Sequence, residues 1–236
     1  MRNQFNLQVE VRLVKDISAE YPVVPLNDSV LVLTHLQNEF WHPDGQGYDF
    51  TRNVLPFPDT KNRILNLVED CRSKSVPIIF HNETFRPGHP ELSLQRGGYV
   101  RGSGRVLQLP EKNMAVRGQW GAETIDELTK GAGSMEYTID NAKVDPFTGS
   151  EFEILLRNLG RHVLILAGLA TNFGIEMTAR SANERDYGVV VLSDCTDRML
   201  GEYSELTLSI LLPYYGRVMT SDMLKVEFDG QSQKDI

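Results

Sequence analysis

The chain has 236 residues, of which 41% are hydrophobic and 24% charged. This is a globular balance with too much apolar content for a disordered chain, and a length that suits one large domain. Lys plus Arg number 24 against 32 Asp plus Glu, a net charge of −8 with no basic run, which argues against nucleic-acid binding as the main task. The longest apolar runs, Val30–Leu33 and Val163–Leu169, fall far short of the roughly eighteen residues that span a bilayer. No membrane partner is expected. The opening Met1-Arg2-Asn3-Gln4 has no secretory pattern, and the predicted location is cytoplasmic. Cys71 and Cys195 form neither a disulfide framework nor a zinc pattern, and no metal or cofactor is predicted.

Taken in chain order, strand-like apolar runs alternate with segments of helical period. Strands are predicted at Val30–Thr34, Val76–His81, Glu136–Ile139, Val163–Gly168, Val189–Ser193 and Arg217–Met219. After the first strand, Asp59 is positioned to cap a helix in which Ile64, Leu67, Val68 and Cys71 recur with helical spacing. The stretch from His81 to Pro110, rich in Gly, Pro and Arg, reads as a long loop of the kind used for lids, binding or oligomer contacts. Ser150-Glu151-Phe152-Glu153 has capping-box spacing and Gly160 follows, so Glu151–Leu159 is predicted helical. Asn172 to about Tyr187 reads as the next helix. Alternation of this kind implies an α/β fold: a single-domain, Rossmann-like three-layer sandwich with a six-stranded, mainly parallel sheet. The expected organisation is an N-terminal extension over 1–25, the domain over 26–225 and a polar C-terminal tail over 226–236, frayed over Gln231–Ile236. Ligands of such sheets bind where strand C-termini meet helix N-termini. That places the turn Gly168-Leu169-Ala170-Thr171-Asn172-Phe173-Gly174 at a prime position for a site.

Four segments then carry a resemblance. They are Leu31-Val32-Leu33-Thr34-His35-Leu36-Gln37-Asn38-Glu39-Phe40, Arg117-Gly118-Gln119-Trp120-Gly121-Ala122-Glu123, Asn141-Ala142-Lys143-Val144-Asp145-Pro146-Phe147, and Gly168 through Ile175. In this order and spacing the chain resembles the isochorismatase-like hydrolases, the cysteine hydrolase superfamily, over roughly Val30 to Thr220. The resemblance implies an Asp-Lys-Cys triad. His35 stands here at the Asp position, Asn141 at the Lys position and Gly174 at the Cys position. It also implies a non-proline cis peptide at Leu169–Ala170 and a homo-oligomer. The family holds a precedent with glycine at the nucleophile position that cleaves a vinyl ether by protonation and addition of water. Its carboxylate-binding arginine lies in a Gln-Arg-Gly segment, matched here by Gln95-Arg96-Gly97.

These residues point to an enzyme acting on a small anionic or carbonyl-bearing substrate by non-covalent acid/base chemistry, with hydrolysis as the default reaction. His35 can act as acid or base near neutrality, or can be a buried, hydrogen-bonded imidazole in an inactive site. Asn141 can hold an oxyanion through its amide, or bond locally as a turn residue. Lys143 could supply the missing cation or lie in solvent. Gly174 leaves room for a water, a bulkier substrate, or nothing. Backbone N–H groups around Ala170 and Gly174 are available to an anion. Trp41, Phe173 and Trp120 are candidates for an apolar pocket wall, and Arg96 and Glu83 for substrate contacts. The alternative is a non-catalytic family member that binds a metabolite or a partner protein.

Overall fold

The structure is a computed structural model that describes residues 21–49, 57–92, 112–197 and 199–232. Six strands form one sheet: β1 (Ser29–Thr34), β2 (Ile78–Glu83), β3 (Glu136–Asn141), β4 (Val163–Gly168), β5 (Gly188–Thr196) and β6 (Arg217–Met219), in the order β3-β2-β1-β4-β5-β6. All five pairings are parallel. The helices in chain order are α1 (Asn38–Trp41), α2 (Phe57–Ser73), α3 (Asp126–Thr129), α4 (Phe152–Leu159), α5 (Glu176–Asn183), α6 (Glu202–Leu206) and α7 (Ser221–Ser232). A π-helical turn, Thr171–Ile175, leads into α5.

Every residue of β1 and β2 is buried, as expected for parallel strands covered on both faces. Because side chains alternate, each strand feeds two cores. Leu31, Leu33, Ile78 and Phe80 pack with Ile64, Leu67, Val68 and Cys71 of α2. On the other face Val30, Val32, Ile79 and Ile139 pack with Phe152 and Leu156 of α4 and with Ala179 and Ala182 of α5. The stripe read from the α2 sequence is therefore one wall of the first core.

Several boundaries move. β2 starts two residues later than predicted and continues through Asn82 and Glu83, and β3 continues to Asn141. Its neighbour's backbone extends the pairing where composition turns polar, since Asn82 opposes Asp140 and Glu83 opposes Asn141. Asp59 lies inside the first turn of α2 rather than capping it. The Ser150 hydroxyl accepts from the Phe152 N–H at 3.0 Å, but Glu153 pairs with Arg157, so the reciprocal half of the capping box does not form. Gly160 ends α4 in the left-handed conformation, φ 61°, with the Arg161 N–H reaching back to the Leu156 carbonyl. The helix expected from Asn172 to Tyr187 is the π-helical turn followed by a shorter α5. At the C-terminus the tail expected from 226 is largely helix: α7 runs to Ser232 and buries Leu224 and Phe228. Residues 1–20, most of the predicted long loop and Arg96 lie outside the described residues. Among the described residues no helix is long and apolar enough to cross a membrane.

Candidate active site at the strand-order switch

From β1 the chain builds outward to β2 and β3 on one side, then returns to lay β4, β5 and β6 on the other. The two directions part between β1 and β4, where the C-terminal ends of parallel strands leave a crevice. Thr34 ends β1 there, paired with His81 on one side and Gly168 on the other. The Leu169 N–H donates to the Thr34 carbonyl at 2.9 Å and the Thr34 hydroxyl to the Leu169 carbonyl at 2.8 Å. A Cβ on Gly168 would strike the Thr34 backbone, so only glycine lets the two strands close here. The peptide Leu169–Ala170 is cis, as the resemblance implied.

His35 follows directly, with its N–H on the His81 carbonyl at 2.7 Å and its backbone in the left-handed region, φ 54°. A side chain other than glycine is uncommon in that region. The imidazole turns into the fold and is 5% exposed. Its ring lies 4.9 Å from that of His81, tilted by 53°. None of the four nitrogens of these two rings reaches full hydrogen-bond geometry among the described residues, though the Val144 backbone lies close enough to act on His35 and the Lys143 backbone on His81. Burial pushes His35 down to about 4, with the Val144 backbone working weakly the other way. His81 is held well below the ordinary histidine range by burial and then by His35, against the Lys143 backbone. Both rings are therefore neutral at physiological pH.

Gly174 sits against this pair. A Cβ built on it would lie 2.9 Å from both Cδ2 and Nε2 of His35 and 2.7 Å from the Leu169 carbonyl. The room that Gly174 was expected to leave is thus taken by the imidazole, and positions 35 and 174 fit one another sterically. Asn141 departs from its expected role. Both hydrogens of its amide are committed, to the Asp145 carbonyl at 3.0 Å and the Thr148 carbonyl at 3.1 Å, so it braces the loop after β3 and offers no donor to an oxyanion. The local bonding weighed for it is what forms, and Lys143 is exposed.

Among the other candidates, Ala170 is buried beside the cis peptide and Phe173 is 36% exposed in the turn before Gly174. Glu83 is buried at the end of β2, its backbone N–H and carbonyl both bonded to the Gln37 amide at 3.0 Å. Trp41 is fully buried in the core on the α2 face of the sheet, a cluster that also takes in Leu169 and Ala170 of the site turn. Trp120 is exposed and stands edge-on to His42. Both thiols are buried: Cys71 lies in α2 and burial pushes it up to about 12, and Cys195 lies in β5 and is likewise raised.

Two groups went unread in the sequence. His81 reads in the sequence as the end of an ordinary apolar strand, and only the β1–β2 register sets it beside His35. Asp197 clamps the turn: its carbonyl accepts from the Thr171 N–H and hydroxyl, and its N–H donates to the Gly168 carbonyl. Its carboxyl is buried with Oδ1 unpartnered, and burial raises it to about 7, against the Met199 backbone.

A family model of the isochorismatase domain matches residues 29–223. The chain belongs to the isochorismatase family. Among its relatives, the uncharacterized isochorismatase family protein YwoC of Bacillus subtilis is 27% identical over 177 residues, 74% of this chain and 87% of that protein. The ureidoacrylate amidohydrolase RutB of Caulobacter segnis is 26% identical over 221 residues, 88% of each. In fold, this isochorismatase-family chain superposes on a cysteine hydrolase from Pseudomonas syringae pv. phaseolicola with a TM-score of 0.72 at 20% identity, over 89% of this chain and 96% of that one. The N-carbamoylsarcosine amidase of Thermoplasma acidophilum gives a TM-score of 0.64 at 21% identity, over 83% and 97%. The kinship places the chain in a family of hydrolases that act on small molecules.

Proposed function

We propose that this isochorismatase-family hydrolase acts on a small anionic or carbonyl-bearing metabolite without a covalent intermediate. His35 serves as the acid/base group, and the backbone N–H groups of Ala170 and Gly174 hold developing negative charge. The observation that supports this reading is the steric fit of the two positions: Gly174 leaves out the one carbon that would collide with the His35 ring. In this chemistry a water proton moves to the neutral imidazole as the water oxygen bonds to the substrate carbonyl carbon. The proton then passes to the leaving group as the tetrahedral intermediate collapses. An anionic substrate beside His35 raises the imidazole's proton affinity, so the weak base of the empty site becomes a better one when substrate arrives.

The amide-cleaving names of the relatives, ureidoacrylate amidohydrolase and N-carbamoylsarcosine amidase, make ureido acids and amides the first compounds to assay. His35→Ala is expected to lower kcat by roughly 10²–10⁴-fold, the range of lost acid/base catalysis, while circular dichroism stays native. An unchanged kcat would remove His35 from the mechanism. Arg96→Gln, at the residue matched to the family's carboxylate-binding segment, is expected to raise KM for carboxylate substrates and leave neutral amides alone. The resemblance adds a homo-oligomer, checked by light scattering, and the N-terminal sequence a cytoplasmic location, checked by cell fractionation.

One observation favours a second reading, a non-catalytic member that binds a metabolite or a partner protein. The amide at the family's lysine position is wholly used inside its own loop. Under this reading ligands shift the melting temperature but none turns over.

A further inference from the structure

On the sheet face opposite His35, at the β2–β3 edge, lies a polar cavity of about 400 Å³. Its floor is Asn82 of β2 with Thr138 and Asp140 of β3, residues that alternate away from His81 and Asn141 and lie on the α2 side. Its walls are Thr84, Arg117 and the Ala122–Thr124 turn on one side and Asp126 and Thr129 of α3 on the other. The volume is in the range of small-molecule sites. Both ends of the segment Arg117 to Glu123, which helped mark the family, line it: Arg117 and Gly118 at one end, Ala122 and Glu123 at the other.

Its polar groups are held in place and incompletely neutralised. Arg117 is oriented by its Nε–H, which donates to the Thr84 hydroxyl at 2.9 Å. No carboxylate among the described residues forms an ion pair with it. Asp140 keeps a raised proton affinity because its partial burial outweighs the Asn82 hydrogen bond and the attraction of Arg117. Asn82 is fixed in turn by the Thr124 hydroxyl at 3.1 Å. The wall is rigid: Asn38 donates to the Trp120 carbonyl and Gln37 to the Ala122 carbonyl, both at 2.9 Å, and Gly121 is pressed against the Glu39 carboxylate. Little ordering remains to be done on binding.

We propose that this cavity is a second ligand site, for a small zwitterion of the amino-acid class, its carboxylate on the Arg117 guanidinium and its ammonium on Asp140 and Asp126. A guanidinium matches a carboxylate in fork geometry, and the acidic groups on the other walls repel a plain anion. A ligand with opposite charges at its two ends meets both requirements, and the threonine hydroxyls accommodate its polar middle.

The test is calorimetric titration of the full chain with L-alanine and 4-aminobutyrate, with acetate and methylammonium as half-ligands. At least one zwitterion is expected to bind about tenfold or more tightly than either half-ligand, and Arg117→Gln and Asp140→Asn each to weaken it by about tenfold or more. His35→Ala is expected to leave it unchanged, since that residue lies across the sheet. Three results overturn the proposal: no zwitterion binding up to about 10 mM, binding indifferent to both cavity variants, or binding abolished by His35→Ala, which would place the ligand at the strand-order switch.

Discussion

The two faces of the sheet near its C-terminal edge solve opposite problems. At the β1–β4 crevice the side chains His35 and His81 are buried, uncharged and in ring contact, and the backbone is pulled tight by Gly168 and the Leu169–Ala170 turn. At the β2–β3 edge Arg117, Asp140 and Asp126 stay exposed around a cavity. Burial holds the two imidazoles of the first region below the ordinary histidine range, whereas the side chains of the second stay open to water. The crevice should therefore be sensitive to pH and to single atoms of bulk, and the groove to ligands.

The largest expected break in this contrast is at Asp197. Its folded carboxyl titrates at about 7 against an ordinary value of 3.8, so the folded state binds the extra proton between those values. Its contribution is full below about 3.8 and is lost as pH rises through about 7, on the order of 4 kcal/mol in all. Asp197→Asn should raise stability at pH 8 and change it little at pH 4, as read by urea unfolding. A stability difference of the same size at both pH values would show that the carboxyl is not buried as described.

His35 acts with the opposite sign. The unfolded imidazole titrates near 6.5 and the folded one near 4, so the unfolded state binds more protons in between. Stability from this group is full above about 6.5 and is lost as pH falls toward 4, on the order of 3 kcal/mol. His81 works in the same direction. The acid limb of the unfolding profile should flatten in His35→Gln, and a profile identical to wild type would contradict the buried pair.

Smaller again is the steric test. Gly174→Ala should cost about 1–3 kcal/mol by overpacking, and in His35→Ala the same change should cost less. The remainder reflects the Leu169 carbonyl, which no side-chain change removes. A double-mutant cycle with no coupling would dissolve the fit between positions 35 and 174. At the bottom of the scale, Asp140→Asn and Thr138→Ser in the exposed groove should move stability by no more than about 0.5 kcal/mol.

Much of the architecture was legible because it depends on local pattern. The runs Val30–Thr34 and Val163–Gly168 are apolar on both faces, and Ile64, Leu67, Val68 and Cys71 mark one stripe of a helix; each signal survives whatever the rest of the chain does. Strand ends were less legible. Asn82, Glu83, Asp140 and Asn141 are polar, and they are strand only because they oppose one another across β2 and β3. Trp41 shows the limit of reasoning by type, since only the tertiary packing shows this aromatic residue to be fully buried in the core that also takes in Leu169 and Ala170.

Within the candidate site the same division holds. The sequence by itself determined the family's segments, the glycine at position 174, the histidine at 35 and the turn that brings strand to helix, since these are identities at fixed spacing. Only the tertiary structure decided that the His35 ring occupies the space beside Gly174, that His81 is its neighbour, that the Asn141 amide is spent on its own loop and that Asp197 clamps the turn. Those outcomes depend on parallel register and on which face a side chain takes. A shift of one residue would reverse every facing, and it is the packing of whole helices against both sides of the sheet that selects one register.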